Sequence, residues 1–228
     1  MATQKFDELN LFKISTNWFE GVDVSAEERK KRVKLSLDYC EITIMLFLMI
    51  VEENYEREDC IAFAEERLKV LAERELGRED VAYINEWAKI KAEAIVDETY
   101  LKYENEIEDA LLESEEKVLK FEEEGVEIPE KEYWTSDFRA LKIGIELSQT
   151  VRNFKELSDA IDEGKTRKTW ITKEDTRVRD THEAMAGVEI PINEFFIVGN
   201  SQMLMPGDTA HGAEMKEIAG CRCHIECH

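Results

Sequence analysis

The side chains best suited to chemistry crowd the end of the chain. Cys221, Cys223, His224, Cys227 and His228 fall within the last eight residues, and His182 and His211 lie upstream. A soft, borderline cation such as zinc accepts cysteine sulfur and histidine nitrogen in a closed tetrahedron. Read as an extended strand of period two, the ending puts Cys221, Cys223, Ile225 and Cys227 on one face. Arg222, His224, Glu226 and His228 fall on the other. Cys221 and Cys223 can then point the same way, with His182 completing a metal set and His211 as the alternative. Against this stands a simpler arrangement, two reduced cysteines packed under a helix with His182 in a polar network. Arg177 and Asp180, and Arg179 and His182, are spaced three apart, so contacts along one helical face are allowed. Such a cluster can steady an oxyanion, but it more often pins a helix to a small sheet, and no nucleophile accompanies it.

Other chemistries leave no trace in the sequence. The glycines are scattered singly, without the Gly-Lys-Ser/Thr of a phosphate loop. No Gly-x-Ser-x-Gly elbow occurs, and His182-Glu183 is followed by Ala-Met-Ala, so the metalloprotease pattern fails. Cys40 and Cys60 lie singly in helical stretches and read as small buried hydrophobes. No catalytic residue is assigned, and an enzyme is not expected.

The elements that must position these residues are of two kinds. Residues 1–164 read as helix almost throughout. Ser25-Ala-Glu-Glu28 is a capping box, in which the serine hydroxyl takes the N3 amide and Glu28 reaches back. It opens a helix that runs into the apolar stretch Ile42 to Val51, expected to be buried. Ile61, Ala64, Leu68 and Leu71 mark the next helix, stopped by Gly77. No breaker interrupts Glu79 to Glu124, which would make a rod of about 70 Å unless kinked or paired. Tyr83, Trp87, Ile90, Ala94 and Leu101 define its inner face, and the glutamates at 113–116 and 122–124 read as solvated. Ser136-Asp137 starts a further helix with Phe138, Leu141, Ile145, Val151, Phe154 and Ile161 inside and Gly164 at its end. Beyond Gly164 the pattern changes. A short helix over Thr172 to Ala186, strands at Val188–Ile192 and Phe195–Val198, and a turn at Met205-Pro206-Gly207-Asp208 follow. One or two helical turns at Ala213–Ile218 and the closing strand complete the set. The expected fold class is α+β: an acidic helical region over 1–134, then a module over 135–228 with a lead-in helix at 136–163 and an α+β core at 165–228.

Charge separates the same two parts. The 228 residues carry 30 basic and 52 acidic side chains, a formal net charge of −22. Of this, −20 belongs to residues 1–164 and only −2 to the remainder. Such a field opposes binding of polyanions over the whole surface. The longest apolar run is about half the roughly 20 residues a membrane span requires. With no basic segment at the start, an intracellular site of synthesis with reduced cysteines is expected.

The stretch from Lys168 to Gly187, with Trp170, Asp175, Arg177, Arg179 and His182, resembles the signature of the phage head morphogenesis family, the Mu F-like minor head proteins. Phe195, Gly199, Met205, Pro206, Gly207 and Asp208, then Cys221, Arg222 and Cys223, follow in the order that family shows. The upstream helix with Glu146 and Asn153 is similar too, so the resemblance spans about 140–226. Gly220 stands where the family usually has asparagine. The resemblance implies a structural, non-enzymatic minor capsid protein of a tailed phage or prophage. It would act in head assembly at the portal vertex or capsid interior, and in DNA ejection. Its implied partners are the portal protein and the major capsid or scaffold protein. Packaged DNA would be met only locally and a membrane not at all. It would reside in the host cytoplasm during assembly and then in the virion. Modules of this kind also occur fused to toxins, so a toxin-like or metal-dependent hydrolase using His182 is one alternative. A prophage adaptor that binds a host protein is another.

Overall fold

A computed structural model describes residues 8–51, 55–102, 135–173 and 175–228. The protein is α+β, with long helices ahead of a small sheet. Helices α1 (Glu8–Glu20), α2 (Ala26–Val51) and α3 (Arg57–Leu76) are followed by α4 over 82–102 and by α5 (Asp137–Asp162). The smaller elements are β1 (Arg167–Ile171), α6 (Asp180–Glu183), β2 (Glu189–Pro191), β3 (Phe196–Val198), β4 (Ser201–Met203), α7 (Met215–Ile218) and β5 (His224–Cys227). The expected continuation of α4 to residue 124, with its glutamates, lies outside the described residues.

Helix α5 is the hub. Ser136 caps it by accepting the Arg139 amide at 3.2 Å. At the other end Gly164, at φ 76°, lets Gly164 N–H reach Ile161 O and Lys165 N–H reach Ala160 O, the paired bonds of a Schellman stop. Its middle is buried on every side, from Leu147 to Phe154 without a break. Phe138 and Ile161, expected inside, are instead substantially exposed, because they lie on the end turns, beyond the elements that wrap the middle. Helix α2 crosses α5 at Gly144, where a Cβ would lie 2.3 Å from Ser36 O and 2.8 Å from Cys40 N. Only glycine permits backbones to approach this closely.

Sequence expectations fail in instructive ways elsewhere. Ser25 caps α2 as expected, accepting the Glu28 amide at 3.1 Å. The Glu28 carboxylate, however, is drawn to Arg32 Nε at 2.8 Å and to the Arg152 guanidinium from α5. The run Ile42 to Val51 buries Leu46, Phe47 and Ile50 but leaves Met45 and Leu48 half exposed, since one face of a helix turns away from its neighbours. In α4 the buried face is Ile84, Trp87, Ala88, Lys91, Ala92, Ile95 and Val96, while Ala94 and Leu101 face out. A charged residue thus holds a core position, where the Lys91 ammonium is neutralised by Glu146 of α5.

The sheet has the order β2-β1-β5, antiparallel throughout, with Trp170 opposite Ile225 and Lys168 opposite Ile190 and Cys227. A separate hairpin pairs β3 with β4, Phe196 opposite Met203, and turns on Gly199 at φ 59°. The expected strand from Cys221 begins only at His224, and both His224 and Ile225 are buried, although they lie on opposite faces. Ile225 shares the core with Trp170, and His224 lies in the field of Arg32. One hydrophobic core runs from α1 through β5.

The hairpin is tied to β1 by a buried cation. Lys168 Nζ donates to Leu204 O at 2.7 Å, and the Leu204 amide donates to Asp208 Oδ2 at 2.7 Å. Burial pushes the Lys168 ammonium down to about 8. Between that value and the ordinary lysine value near 10.4, the unfolded chain holds a proton the folded chain has released, so this residue's contribution to stability rises with pH. Urea unfolding of wild type and Lys168→Met is therefore expected to show the difference moving in wild type's favour by roughly 2 kcal/mol between pH 7 and pH 10. A difference independent of pH would contradict the assignment.

Candidate functional site

The site is assembled from three short segments that have little regular structure of their own. The first is the turn of α6. The sequence suggested a helix over Thr172 to Ala186, but only Asp180–Glu183 is helical. Asp175 explains the shortfall. Its carboxylate accepts the Arg177 amide at 3.0 Å and its carbonyl accepts the Val178 amide at 3.0 Å, a local turn that outcompetes helix. The helical pairings of Arg177 with Asp180 and Arg179 with His182 are therefore not made. Arg177 is exposed beside Asp175 at 3.5 Å, and Arg179 donates to Ala219 O. Gly187, at φ 73°, then bonds Trp170 O through its amide at 2.9 Å, which seats α6 against β1.

The second segment runs from α7 to β5. Cys221 and Cys223 point inward, and Arg222 between them points away to grip Asp175 with two hydrogen bonds of 2.7 and 2.5 Å. That guanidinium holds the Asp175 carboxyl well below the usual carboxylate range. The third segment is Met205-Pro206-Gly207-Asp208. Its turn closes with the Asp208 amide on Met205 O at 3.1 Å and needs Gly207 at φ 84°.

Helix α5 clamps the second and third segments together. Gln149 Nε2 donates to Cys223 O at 2.7 Å, and Asn153 Nδ2 donates to Cys223 O at 3.2 Å and Pro206 O at 2.9 Å. Thr150 Oγ1 donates to Gly207 O at 3.0 Å. The guanidinium of Arg32 from α2 occupies the amide oxygens of Gln149 and Asn153, leaving their NH2 groups for the carbonyls. A buried polar network with both donors and acceptors satisfied specifies one arrangement of its parts.

At the centre His182 Nδ1 lies 3.4 Å from Cys223 Sγ and 3.6 Å from Cys221 Sγ. All three side chains are buried, and the three donor atoms lie within 4.8 Å of one another, so the group can hold a metal ion. Trp170 closes the pocket, its ring edge-on to His182 at 5.5 Å and to Phe196 at 5.1 Å. The hydrogen bond from Cys221 lowers the Cys223 thiol below its ordinary range, helped by Trp170, Arg179 and Arg222, while Cys221 is pushed up. Burial alone would lower His182, but the neighbouring Cys221 and Glu217 outweigh it and raise it. A divalent metal requires its sulfur ligands as thiolates and its histidine neutral, so binding here would release protons from this cluster.

The other candidates go elsewhere. His211, the alternative ligand, is held by Asp208 at 2.7 Å and stacks near Tyr83, so it does not join the cluster. Asp208 is fully buried and also accepts from the Ala210 amide and Tyr83 OH, which makes it a brace for the turn. His224 is buried apart from the sulfurs, Cys227 lies on β5 beside Lys168, and His228 pairs with Glu189 at 3.1 Å. Glu217 was not foreseen. It is as buried as His182, and its Oε2 stands 3.2 Å from His182 Nε2. A four-residue helix has no periodicity by which such a residue could be marked as internal. A cleft of about 650 Å³ runs beside the site, lined among others by Trp18, Lys91, Phe138, Met215 and Cys221.

Comparison of the chain with protein-family models, with curated proteins and with solved structures returns no match in any of the three. Among the described residues no helix is long and apolar enough to cross a membrane.

Proposed function

We propose that the protein is a structural, non-enzymatic minor head protein of a tailed phage or prophage, acting in head assembly at the portal or capsid interior and in DNA ejection. The observation that carries the reading is where the signature residues spend their polar groups. Asp175 and Arg222 hold each other, Asp208 braces its own turn, Arg179 caps a backbone carbonyl, and the carbonyls of Pro206, Gly207 and Cys223 are taken by α5. Residues committed in this way keep a shape and leave little free for turnover. The acidic surface of the helices disfavours adhesion to packaged DNA and leaves extended faces for partner helices.

The same reading includes a structural zinc held by His182 Nδ1 and the sulfurs of Cys221 and Cys223. Tetrahedral zinc with ordinary Zn–S and Zn–N lengths spaces sulfur and nitrogen about 3.6 Å apart. The observed 3.4 and 3.6 Å fit that edge. Bound there, the ion would tie α6 to the strand-leading segment.

Assembly tests the reading. The chain is to be co-expressed with the portal, scaffold and coat proteins of a tailed phage. Heads are expected to incorporate it, and omitting it is expected to give heads that fail to mature or to infect. Heads formed and infectious without it, or a hydrolytic activity of the purified chain abolished by His182→Ala, would overturn it.

A further inference from the structure

We propose that Glu217 is the positioning residue of the metal centre, the carboxylate that fixes which nitrogen of His182 faces the ion; the inference rests on the zinc reading above. The geometry is specific. Imidazole presents its two nitrogens on diverging edges, so a ring that offers Nδ1 to a metal must carry its proton on Nε2. Here Nδ1 faces both sulfurs, while Nε2, buried and without a hydrogen bond among the described residues, stands 3.2 Å from Glu217 Oε2. Glu217 cannot share the ion with Nδ1 in this arrangement, because it lies against the opposite edge of the ring.

The carboxylate is itself held. Thr181 Oγ1, one residue before His182, donates to Glu217 Oε2 at 2.7 Å. On its other side Oε1 lies against Gly199, where a Cβ would approach to 3.0 Å. The hairpin turn, α6 and α7 thus meet on one buried acid. A carboxylate on the far nitrogen of a ligating histidine fixes the tautomer, orients the ring and makes the near nitrogen a stronger donor. This accounts for a buried glutamate in a module whose other buried acid, Asp208, already has its own partners.

Cobalt(II) serves as the probe on the purified full-length chain, because sulfur-to-cobalt charge transfer reports the ligand set and chelator competition reports affinity. Wild type is expected to bind one cobalt with two-sulfur charge transfer. Glu217→Ala is expected to keep that spectrum and bind roughly 10- to 100-fold more weakly. Glu217→Gln, whose amide oxygen still accepts from Nε2–H, is expected to recover most of the loss. Thr181→Val, which removes only the hydroxyl that steadies the carboxylate, is expected to weaken binding several-fold and keeps the test informative if the alanine variant does not fold. Unchanged affinity in Glu217→Ala or Thr181→Val overturns the inference while leaving the zinc reading intact. A ligand-field band that shifts in Glu217→Ala would make Glu217 a ligand and also overturn it. A wild-type chain that binds no cobalt removes both.

Discussion

Replacing Gly144 with alanine is expected to destabilise the protein by about 3 kcal/mol, although the same change in an exposed helix would stabilise it by about 1 kcal/mol. The reason is the contact between α2 and α5. A methyl group at residue 144 would begin 2.3 Å from the backbone oxygen of Ser36 and 2.8 Å from the backbone nitrogen of Cys40. Neither atom is the end of a flexible side chain, so relief requires the helices to part by roughly 1 Å, since interiors are close-packed. That separation would stretch the bonds from Arg32 to Gln149 and Asn153 and from Arg152 to Glu28, which cross the same seam. For a chain of this size the loss corresponds to a fall in Tm of roughly 6–12 °C. Thermal and urea unfolding followed by circular dichroism decides the matter. An unchanged or raised midpoint would mean that propensity governs the position and that the crossing is looser than described.

The second large effect is expected from metal removal. With free zinc about 1,000-fold above its dissociation constant, linkage contributes about 4 kcal/mol to the folded state. A strong chelator is therefore expected to lower Tm by roughly 8–16 °C. The double variant Cys221→Ser/Cys223→Ser is expected to melt at the lower temperature whether or not chelator is present. Without the ion, two buried cysteines, His182 and Glu217 remain together, with Trp170 packed edge-on to His182. Identical melting of wild type with zinc and with chelator would show that the cluster is only a packed pair of reduced cysteines beside a histidine.

The parts that were legible in the sequence are those set by local chemistry. Ser25, Ser136, Gly77 and Gly164 mark helix ends through groups that act within one turn, and each acts where expected. The alternation of Cys221, Arg222 and Cys223 holds although that segment is not a strand: both cysteines are buried beside His182 and Arg222 reaches away to Asp175. His182 joins them, as the simplest metal reading required. What could not be read depends on contacts across the fold. Asp175 replaces the start of the expected helix with a local turn, and its carboxylate is also held by Arg222, 47 residues later. Lys91, Lys168 and Glu217 look like surface residues by composition and are internal only because Glu146, Leu204 and Thr181 receive them. Periodicity also misplaced Ala94, Phe138 and Ile161, since the width of a buried face is set by how many neighbours surround a helix.

We propose that this chain keeps a shape within an assembling head. The most direct measurement is the protein inventory of purified heads, by quantitative mass spectrometry against the portal protein as an internal standard. A few copies of this chain are expected in every head, retained with the portal when the particles are dissociated. Heads that are complete and infectious yet contain none of it would rule out this role.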